Sequence, residues 1–399
     1  MSQRLFEGLK VIDCASYIAG PAAATALSDF GAEVVKIEPP GAGDPYRTRA
    51  QPPSGTRFPE NPNWMVDSRN KKSLALDLAS EAGRGVLHRL VAGADVFITN
   101  YPPKVRRRLR LDYAELAPLN PRLIYASFTG FGERGPDADK PGFDATAWWA
   151  RSGIMDLART GDTPPTRPPP GMGGHPSAMS LYAAIVTALY KRVLTGRGSH
   201  VGSSLLMNGL WANACSVQAA LCGEQVERQP ERSRSSAPWR IPYLCKDGRW
   251  LLLSIVPDAK RWVAFRAALH SDLLDDPRFA VLEDRKRHAT ALIAALDRVF
   301  AAKTLAEWSL ILDAGGVVFG AVAAMADVAQ DEQALASGAL VAFAEGKLLT
   351  VSSPFWIEGE DKLPPGRAPA VGEHSDAILA AAGYAEADIR KLRTDGVIG

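Results

Sequence analysis

The sequence is poor in cysteine, in long apolar segments and in net charge. Its four cysteines among 399 residues form no CxxC or CxxCH pattern, which argues against zinc ribbons, haem attachment and disulfide-built secreted folds. Lys and Arg number 46 and Asp and Glu 44, so the net charge of +2 gives no general attraction to nucleic acid or to an anionic membrane. No apolar run approaches the ~20 residues of a membrane-spanning helix, and the N-terminal residues lack the apolar segment of a signal peptide. We therefore expect a cytoplasmic protein with no nucleic-acid partner and no membrane partner.

Several catalytic motifs are also missing. The chain contains neither HExxH nor GxSxG, so zinc hydrolysis and the serine-hydrolase elbow are disfavoured. The turn after the first strand lacks GxGxxG, which weakens the case for a nicotinamide cofactor, and the chain has no GxxxxGK[ST], which excludes a P-loop. The six histidines are scattered and form no repeated Cys/His pair. We predict no metal site and no bound cofactor.

What is present is typical of a packed α/β protein. Apolar residues make up 46% of the chain, which is ample for hydrophobic cores. Over residues 8–130, short apolar strands alternate with helical patterns, as in a parallel sheet with helices on both faces. A polar, charged stretch over 224–238 indicates a boundary, and the hairpin and helices that follow predict a small separate domain. We place the domains at residues 1–225, 226–330 and 331–399.

Three features are candidates for ligand contacts. The turn over residues 13–21 is rich in small residues and leads into a helix start that suits an anion, although an ordinary tight turn explains it equally. The arginine cluster over 106–110 is either solvated surface or a phosphate contact. His175 lies in a glycine-rich loop, where a ligand can approach the backbone closely, although lone loop histidines are usually structural.

The ordered set of motifs resembles the class III CoA-transferase family, also called the CaiB/BaiF or formyl-CoA transferase-like family. Each segment is short, for example FGAEVVKIEP at 30–39 and TGRG at 195–198, but the segments follow the family order over nearly the whole chain. The resembling segments are residues 8–13, 19–21, 30–39, 43–44, 69–78, 94–101, 120–125, 130–132, 142–144, 195–198 and 372–376.

The resemblance implies an α/β architecture with a Rossmann-like large domain and a smaller central α+β domain. In the family, the large domain combines the N-terminal half, here residues 1–225, with a C-terminal return, here 331–399. Two chains interlock like links, so we expect an interlocked dimer. Whether that dimer is a homodimer or pairs two paralogous chains stays open.

The resemblance also implies a coenzyme A thioester as substrate, with a carboxylic acid as the partner that accepts CoA. In relatives, CoA lies along the turn after the first strand and the ends of neighbouring segments. Ile18 stands where some relatives carry a glutamine, and Pro39 where some carry an arginine. Carried over by position, the CoA-binding candidates are Tyr17, Ile18, Ala19, Leu76, Asn100, Tyr101, Arg108 and Lys140.

One departure from the family pattern concerns the catalytic loop. Relatives carry an aspartate there, which attacks the acyl-CoA thioester to form a mixed anhydride and then a carboxylate-bound CoA thioester. Counting back from the TGRG run through the preceding helix places that aspartate at Gly174, with His175 after it. The chain has Gly-Gly-His where Gly-Asp-His is expected, and glycine supplies no nucleophile.

Several interpretations of this departure stay open. We predict a CoA-transferase subunit without the catalytic aspartate, paired with a catalytic paralogue as in succinyl-CoA:benzylsuccinate CoA-transferase. The alternatives are a homodimeric CoA-transferase or other acyl-CoA enzyme that uses His175, a non-catalytic CoA-binding scaffold, or a degenerate or introduced change at Gly174. Racemase chemistry is disfavoured because its histidine and aspartate positions hold Phe143 and Gly174. Trp148 and Trp149 either line an acyl pocket suited to an aromatic acid or pack in the core.

Overall fold

The computed structural model describes residues 4–48, 60–256 and 258–399. The chain divides into two compact units. The larger comprises Met1–Met155, Arg167–Gln225 and Glu332–Gly399, and the smaller comprises Asp156–Thr166 and Val226–Asp331.

The strands are β1 (Lys10–Cys14), β2 (Glu33–Glu38), β3 (Lys71–Ala75), β4 (Val96–Thr99), β5 (Ile124–Thr129), β6 (Ser199–Ser204), β7 (Pro242–Leu244), β8 (Trp250–Leu253), β9 (Phe319–Ala321), β10 (Leu340–Ala342) and β11 (Leu349–Val351). The helices are α1 (Ala19–Asp29), α2 (Pro62–Ser68), α3 (Glu81–Ala92), α4 (Pro103–Leu109), α5 (Tyr113–Leu116), α6 (Ile154–Leu157), α7 (Gly174–Thr195), α8 (Leu205–Ala212), α9 (Ala214–Leu221), α10 (Ala259–Leu269), α11 (Leu282–Arg287), α12 (Ala289–Phe300), α13 (Leu305–Ala314), α14 (Met325–Val328), α15 (Glu332–Ala336), α16 (Ser375–Ala381) and α17 (Glu386–Thr394).

A six-stranded parallel sheet forms the centre of the larger unit, in the order β3-β2-β1-β4-β5-β6. This is the strand order of a Rossmann fold, so the predicted α/β class is confirmed. Strand β1 pairs with β2 on one side and with β4 on the other, with Ile12 opposite both Val35 and Phe97. The order reverses at β1 and β4, and the loops after these two strands therefore flank the crevice where α/β sheets bind ligands.

Helices cover both faces of the sheet. On one face, α1 and α7 pack over a core that includes Val11, Leu27 and Leu181. All eleven residues of α1 are buried, and its alanines both favour a helix and allow close packing. A Cβ added to Gly20 would lie 2.5 Å from the Cβ of Ala15, so the start of α1 needs a glycine to reach the end of β1.

The opposite face carries α3 and the C-terminal helices. Its core includes Leu74, Leu87, Phe97 and Leu379. The C-terminal segment also bonds to the edge of the sheet, because Leu76 forms a β-bridge with Ile398. These contacts bring residues distant in sequence next to β3.

The smaller unit has its own core. Strands β7, β8 and β9 form an antiparallel sheet, and helices α10, α12 and α13 supply large apolar side chains such as Phe265, Phe300 and Trp308. The Trp308 indole Nε1–H donates to the Phe300 carbonyl at 2.9 Å, which satisfies the one polar group of this buried ring. Within the ranges that the structure describes, none of the helices combines the length and apolar composition needed to cross a bilayer.

Candidate active site

The turn after β1 is held by a side chain from the end of β4. Asn100 Oδ1 accepts a hydrogen bond from the Ser16 backbone N–H at 2.8 Å, and Asn100 Nδ2 donates to the Ser16 carbonyl at 2.6 Å. Tyr17 follows with φ of 64°, which is unusual for a bulky residue and strained. Its N–H donates to Asp44 Oδ1 at 3.4 Å. The hydrogen bonds to Asn100 and Asp44 therefore hold the turn in a backbone conformation that is unfavourable for Tyr17.

Buried ions lie beneath this turn. Asp13, Lys36, Asp44 and Lys71, which we call the ion network, are almost completely shielded from solvent. Lys36 lies 2.7 Å from Asp44 and also donates to the Ala15 carbonyl, while Lys71 lies 2.8 Å from Asp13. Burial alone would lower the pKa of Lys36, but the charges of Asp13 and Asp44 raise it above its ordinary value. The ammonium therefore stays charged and tied to the backbone of the turn.

The glycine loop, residues 171–175, leads into α7 and lies against the turn. Gly174 is the first residue of α7 and is buried. A Cβ added to it would lie 2.9 Å from Ile18 Cγ2 and 3.1 Å from Ile18 Cβ, closer than real side chains pack. On the other side of the loop, a Cβ on Gly173 would lie 2.1 Å from Asp144 Oδ1. Ile18 and Asp144 thus leave no room for side chains at these two positions.

His175 is held by a buried aspartate. Its Nε2 lies 3.0 Å from Asp67 Oδ1, and Asp67 is at the end of α2 and 1% exposed. Gly171 lies beside the ring, since a Cβ added to it would lie 3.0 Å from Nδ1. Burial alone would lower the pKa of His175, but the hydrogen bond and charge of Asp67 raise it above its ordinary value. The pairing with Asp67 therefore stabilises the imidazolium form.

Asp144 faces the start of α7. It opens a π-helical turn, Asp144–Ala150, a conformation often found at functional sites. Both carboxylate oxygens are buried without a hydrogen bond of ordinary geometry among the described residues. Burial raises the pKa of Asp144 above its usual range, although the N–H groups of Gly173, Gly171 and Gly174 act to lower it. The carboxylate therefore stabilises the N-terminus of α7 electrostatically.

The structure places the sequence candidates in three settings. Tyr17 and Ile18 meet the glycine loop with Gly174 and His175, and Asn100 fixes the turn they belong to. Ala19, Leu76 and Tyr101 are mostly covered by protein: Ala19 opens α1, Leu76 lies in the core beside Ile398, and burial raises the pKa of Tyr101 above its ordinary range. Arg108, on α4, and Lys140 are exposed.

Asp67 and the position of Asp144 were not identified from sequence. Asp67 ends a short helix in a stretch without strand or helix periodicity, directly before the family-like segment at 69–78. Asp144 stands in the recognised segment at 142–144, but nothing in the sequence indicates that its carboxylate reaches residues 171–174. Of the two tryptophans after it, Trp148 is buried and stacks on Trp149 with ring centroids 5.7 Å apart.

Position 174 carries no carboxylate. The start of α7 offers backbone N–H groups, and His175 adds positive character next to them. Within residues 4–48, 60–256 and 258–399, no group of three or more His, Cys, Asp or Glu side chains is placed to hold a metal ion. These residues suit the recognition of an anionic ligand.

Comparison with known proteins gives a consistent result. A family model described as CoA-transferase family III matches residues 6–375. The chain is 32% identical over 404 residues to (R)-2-hydroxy-4-methylpentanoate CoA-transferase of Clostridioides difficile, covering 99% of each chain. It is 34% identical over 400 residues to cinnamoyl-CoA:phenyllactate CoA-transferase of Clostridium sporogenes, covering 98% of this chain and 96% of that one.

The fold has a similar counterpart among solved structures. A CaiB/BaiF family protein from Brucella suis superposes with a TM-score of 0.84 at 29% identity, covering 96% of this chain and 100% of the other. The similarity therefore extends over both units of the chain.

Proposed function

We propose a reaction for this chain on the premise that it belongs to CoA-transferase family III. The chain is a CoA-transferase, and the resemblance noted in its sequence is confirmed. We propose that it takes part in CoA transfer between two carboxylic acids as the subunit without the nucleophilic carboxylate. A paralogous chain, which keeps an aspartate at the position of Gly174, would supply the nucleophile.

The contact between Gly174 and Ile18 carries this proposal. If the change at position 174 were an isolated loss in an ordinary enzyme, the space for an aspartate side chain would remain open. Instead Ile18 occupies it, with its Cγ2 only 2.9 Å from where a Cβ would lie. Ile18 and Gly174 are remote in sequence but fit against each other, which supports the view that the active site is adapted to the absence of the carboxylate.

His175 is poorly suited to replace the missing nucleophile. Acyl transfer to imidazole needs a free nitrogen lone pair. The Nε2 atom is paired with the Asp67 carboxylate, and the raised pKa of His175 lowers the share of neutral imidazole. The side chain is suited instead to placing positive charge beside a bound thioester.

Asp144 is a carboxylate of the same chain that packs against Gly173 of the glycine loop. An in-chain nucleophile would need an oxygen that can reach the thioester carbon. Both Asp144 oxygens are buried behind the loop, so an attack would require the loop to move. The arrangement supports a role for Asp144 in holding the start of α7 rather than in attack.

An association with a second chain has support on the surface of the larger unit. Val193, Trp211 and Leu221, at the end of α7 and on α8 and α9, are exposed large apolar side chains. Exposed apolar residues grouped on neighbouring elements are a mark of protein–protein contact surfaces. They support the proposed dimer and leave open whether the second chain is a copy or a paralogue.

The test of the proposal is turnover by the isolated chain. The purified protein is incubated with an acyl-CoA donor and a free carboxylic acid, and the new thioester is quantified by mass spectrometry. Hydroxylamine is added in parallel to trap any acyl-enzyme. We expect the chain to bind acyl-CoA but to form neither product nor trapped adduct without a paralogue. Full turnover by the chain alone would contradict the subunit assignment and leave the family activity intact.

A further inference from the structure

Two aromatic side chains stand beside the glycine loop. The rings of Tyr17 and Phe143 are perpendicular, with centroids 6.0 Å apart, and Tyr46 meets Tyr17 at 6.2 Å and 63°. We call Tyr17, Tyr46 and Phe143 the aromatic wall. Phe143 is 55% exposed, so part of one ring of this wall faces outward. Edge-to-face pairs of this kind favour a further ring that packs against them.

The wall adjoins the place where the reacting carbonyl must lie. Tyr17 precedes Ile18, which contacts Gly174, and Phe143 precedes Asp144, which contacts Gly173. The two rings, which contact each other, are therefore each one residue away from a contact with the glycine loop. A thioester bound at the loop carries its acyl group directly from the carbonyl carbon, so the first atoms of that group lie near these rings.

The backbone of Tyr17 strengthens this assignment. A tyrosine with φ of 64° is strained, and the turn is held in that conformation by Asn100 and Asp44. Strain of this kind is concentrated at functional sites, where it fixes a side chain in position. Here it directs the Tyr17 ring toward Phe143.

The charges around the wall disfavour a second carboxylate on the acyl group. Three cations near these residues in the described part of the chain, Lys36, Arg47 and His175, are each paired with a carboxylate. Arg47 also lies over the Trp64 ring, with 3.8 Å from its Cζ to the ring centroid. A dicarboxylic acyl group would have to compete for one of these ion pairs, whereas an apolar ring would not.

On the basis of the proposed function, we propose that the acyl-CoA bound here carries an aromatic acyl group without a second carboxylate. Tyr17 and Phe143 determine this preference, with Phe143 as the accessible member. The CoA moiety itself is recognised elsewhere, along the turn and the strand ends. Removal of the Phe143 ring should therefore change the preference among acyl groups and leave the affinity for CoA unchanged.

The experiment is isothermal titration of the full chain with 3-phenylpropanoyl-CoA, succinyl-CoA and free CoA. We expect 3-phenylpropanoyl-CoA to bind roughly tenfold more tightly than succinyl-CoA, since a buried ring against an aromatic pair gains both area and edge-to-face contacts. The variant Phe143→Ala should bind 3-phenylpropanoyl-CoA roughly three- to tenfold more weakly and free CoA as before. The matched control Trp356→Ala, which removes another exposed ring, should leave all three affinities unchanged.

The outcomes separate this inference from the proposed function. Equal affinity for both thioesters, or an equal loss for all three ligands in Phe143→Ala, would overturn the aromatic assignment alone. A preference that persists in Phe143→Ala would also overturn it. Failure of every CoA compound to bind would overturn the proposed function and the inference together. Because binding needs no acceptor acid, the measurement does not depend on turnover.

Discussion

Adding a side chain at Gly174 should destabilise the protein through Ile18. A Cβ at this position would lie 2.9 Å from Ile18 Cγ2, 3.1 Å from its Cβ and 3.6 Å from its Cδ1. Overpacking of this degree costs about 1–3 kcal/mol, against a gain of about 0.5–1 kcal/mol for replacing a helical glycine with alanine. We therefore expect Gly174→Ala to lower the free energy of unfolding by about 1 kcal/mol, as measured by urea titration.

A helical glycine with open space provides the matched control. Gly85 lies within α3, and a Cβ added there would meet nothing within 4 Å. Gly85→Ala should therefore stabilise the protein by about 0.5–1 kcal/mol. In the Ile18→Ala background, Gly174→Ala should destabilise less, because only the 3.1 Å contact with the Cβ of residue 18 remains, which corresponds to a coupling energy of about 0.5–3 kcal/mol between the two sites. If Gly174→Ala behaves like Gly85→Ala, or if its effect is the same with and without Ile18, the packing argument is refuted.

The same pair determines whether a nucleophile can be restored. Gly174→Asp alone would direct its carboxylate into Ile18, whereas Gly174→Asp with Ile18→Ala gives that carboxylate room. We expect the double variant to form more hydroxylamine-trappable acyl-enzyme from acyl-CoA than Gly174→Asp alone. Gly174→Asn with Ile18→Ala has the same size and no nucleophile, so it should form none. An adduct of equal yield in the Asp and Asn variants would show that position 174 does not provide the attacking group.

Two further predictions concern the residues that hold the site. Asp67→Asn should lower the pKa of His175, because burial remains while the anion is lost. The change can be measured by following the imidazole resonances by NMR across pH. The control Asp162→Asn, at an exposed carboxylate, should leave the titration of His175 unchanged. Since the folded-state pKa of His175 is raised, the stability contributed by Asp67 should be fully present below the ordinary histidine value of about 6.5 and lost as the pH rises through the higher folded-state value. Asn100→Ala removes both hydrogen bonds to Ser16 and should cost about 1–3 kcal/mol and weaken CoA binding severalfold by relaxing Tyr17. If the Asn100→Ala protein is destabilised but its CoA affinity is unchanged, the turn does not contribute to CoA binding.

The sheet could be predicted from sequence because its signals are local. Apolar strands alternating with helices indicate a parallel sheet, and the family resemblance supplied the Rossmann-like architecture and the positions of Gly174 and Ile18. The contact between these two residues could not be predicted, since it depends on how closely α7 approaches the turn after β1. The same holds for Asp67 and His175, which are 108 positions apart in the chain.

The packing of the core restricts how Leu76 can contact a ligand. Leu76 was carried over as a CoA-binding residue, but its side chain is 1% exposed in the core beside Ile398, so any ligand contact there must come from backbone. A resemblance transfers positions, whereas the direction of a side chain depends on neighbours elsewhere in the sequence. The interlocked dimer, the domain limits and the cytoplasmic location stay predictions.

The ion network under the turn restricts how this sequence can drift over generations. Replacing one of Asp13, Lys36, Asp44 or Lys71 strands its partner as a lone ion away from water, at about 3–5 kcal/mol, a large part of the stability of an ordinary domain. These charges can be lost in evolution only if both members of an ion pair are substituted in close succession. The four ionic residues should therefore be conserved together, whereas the exposed ring of Phe143 is under no such constraint.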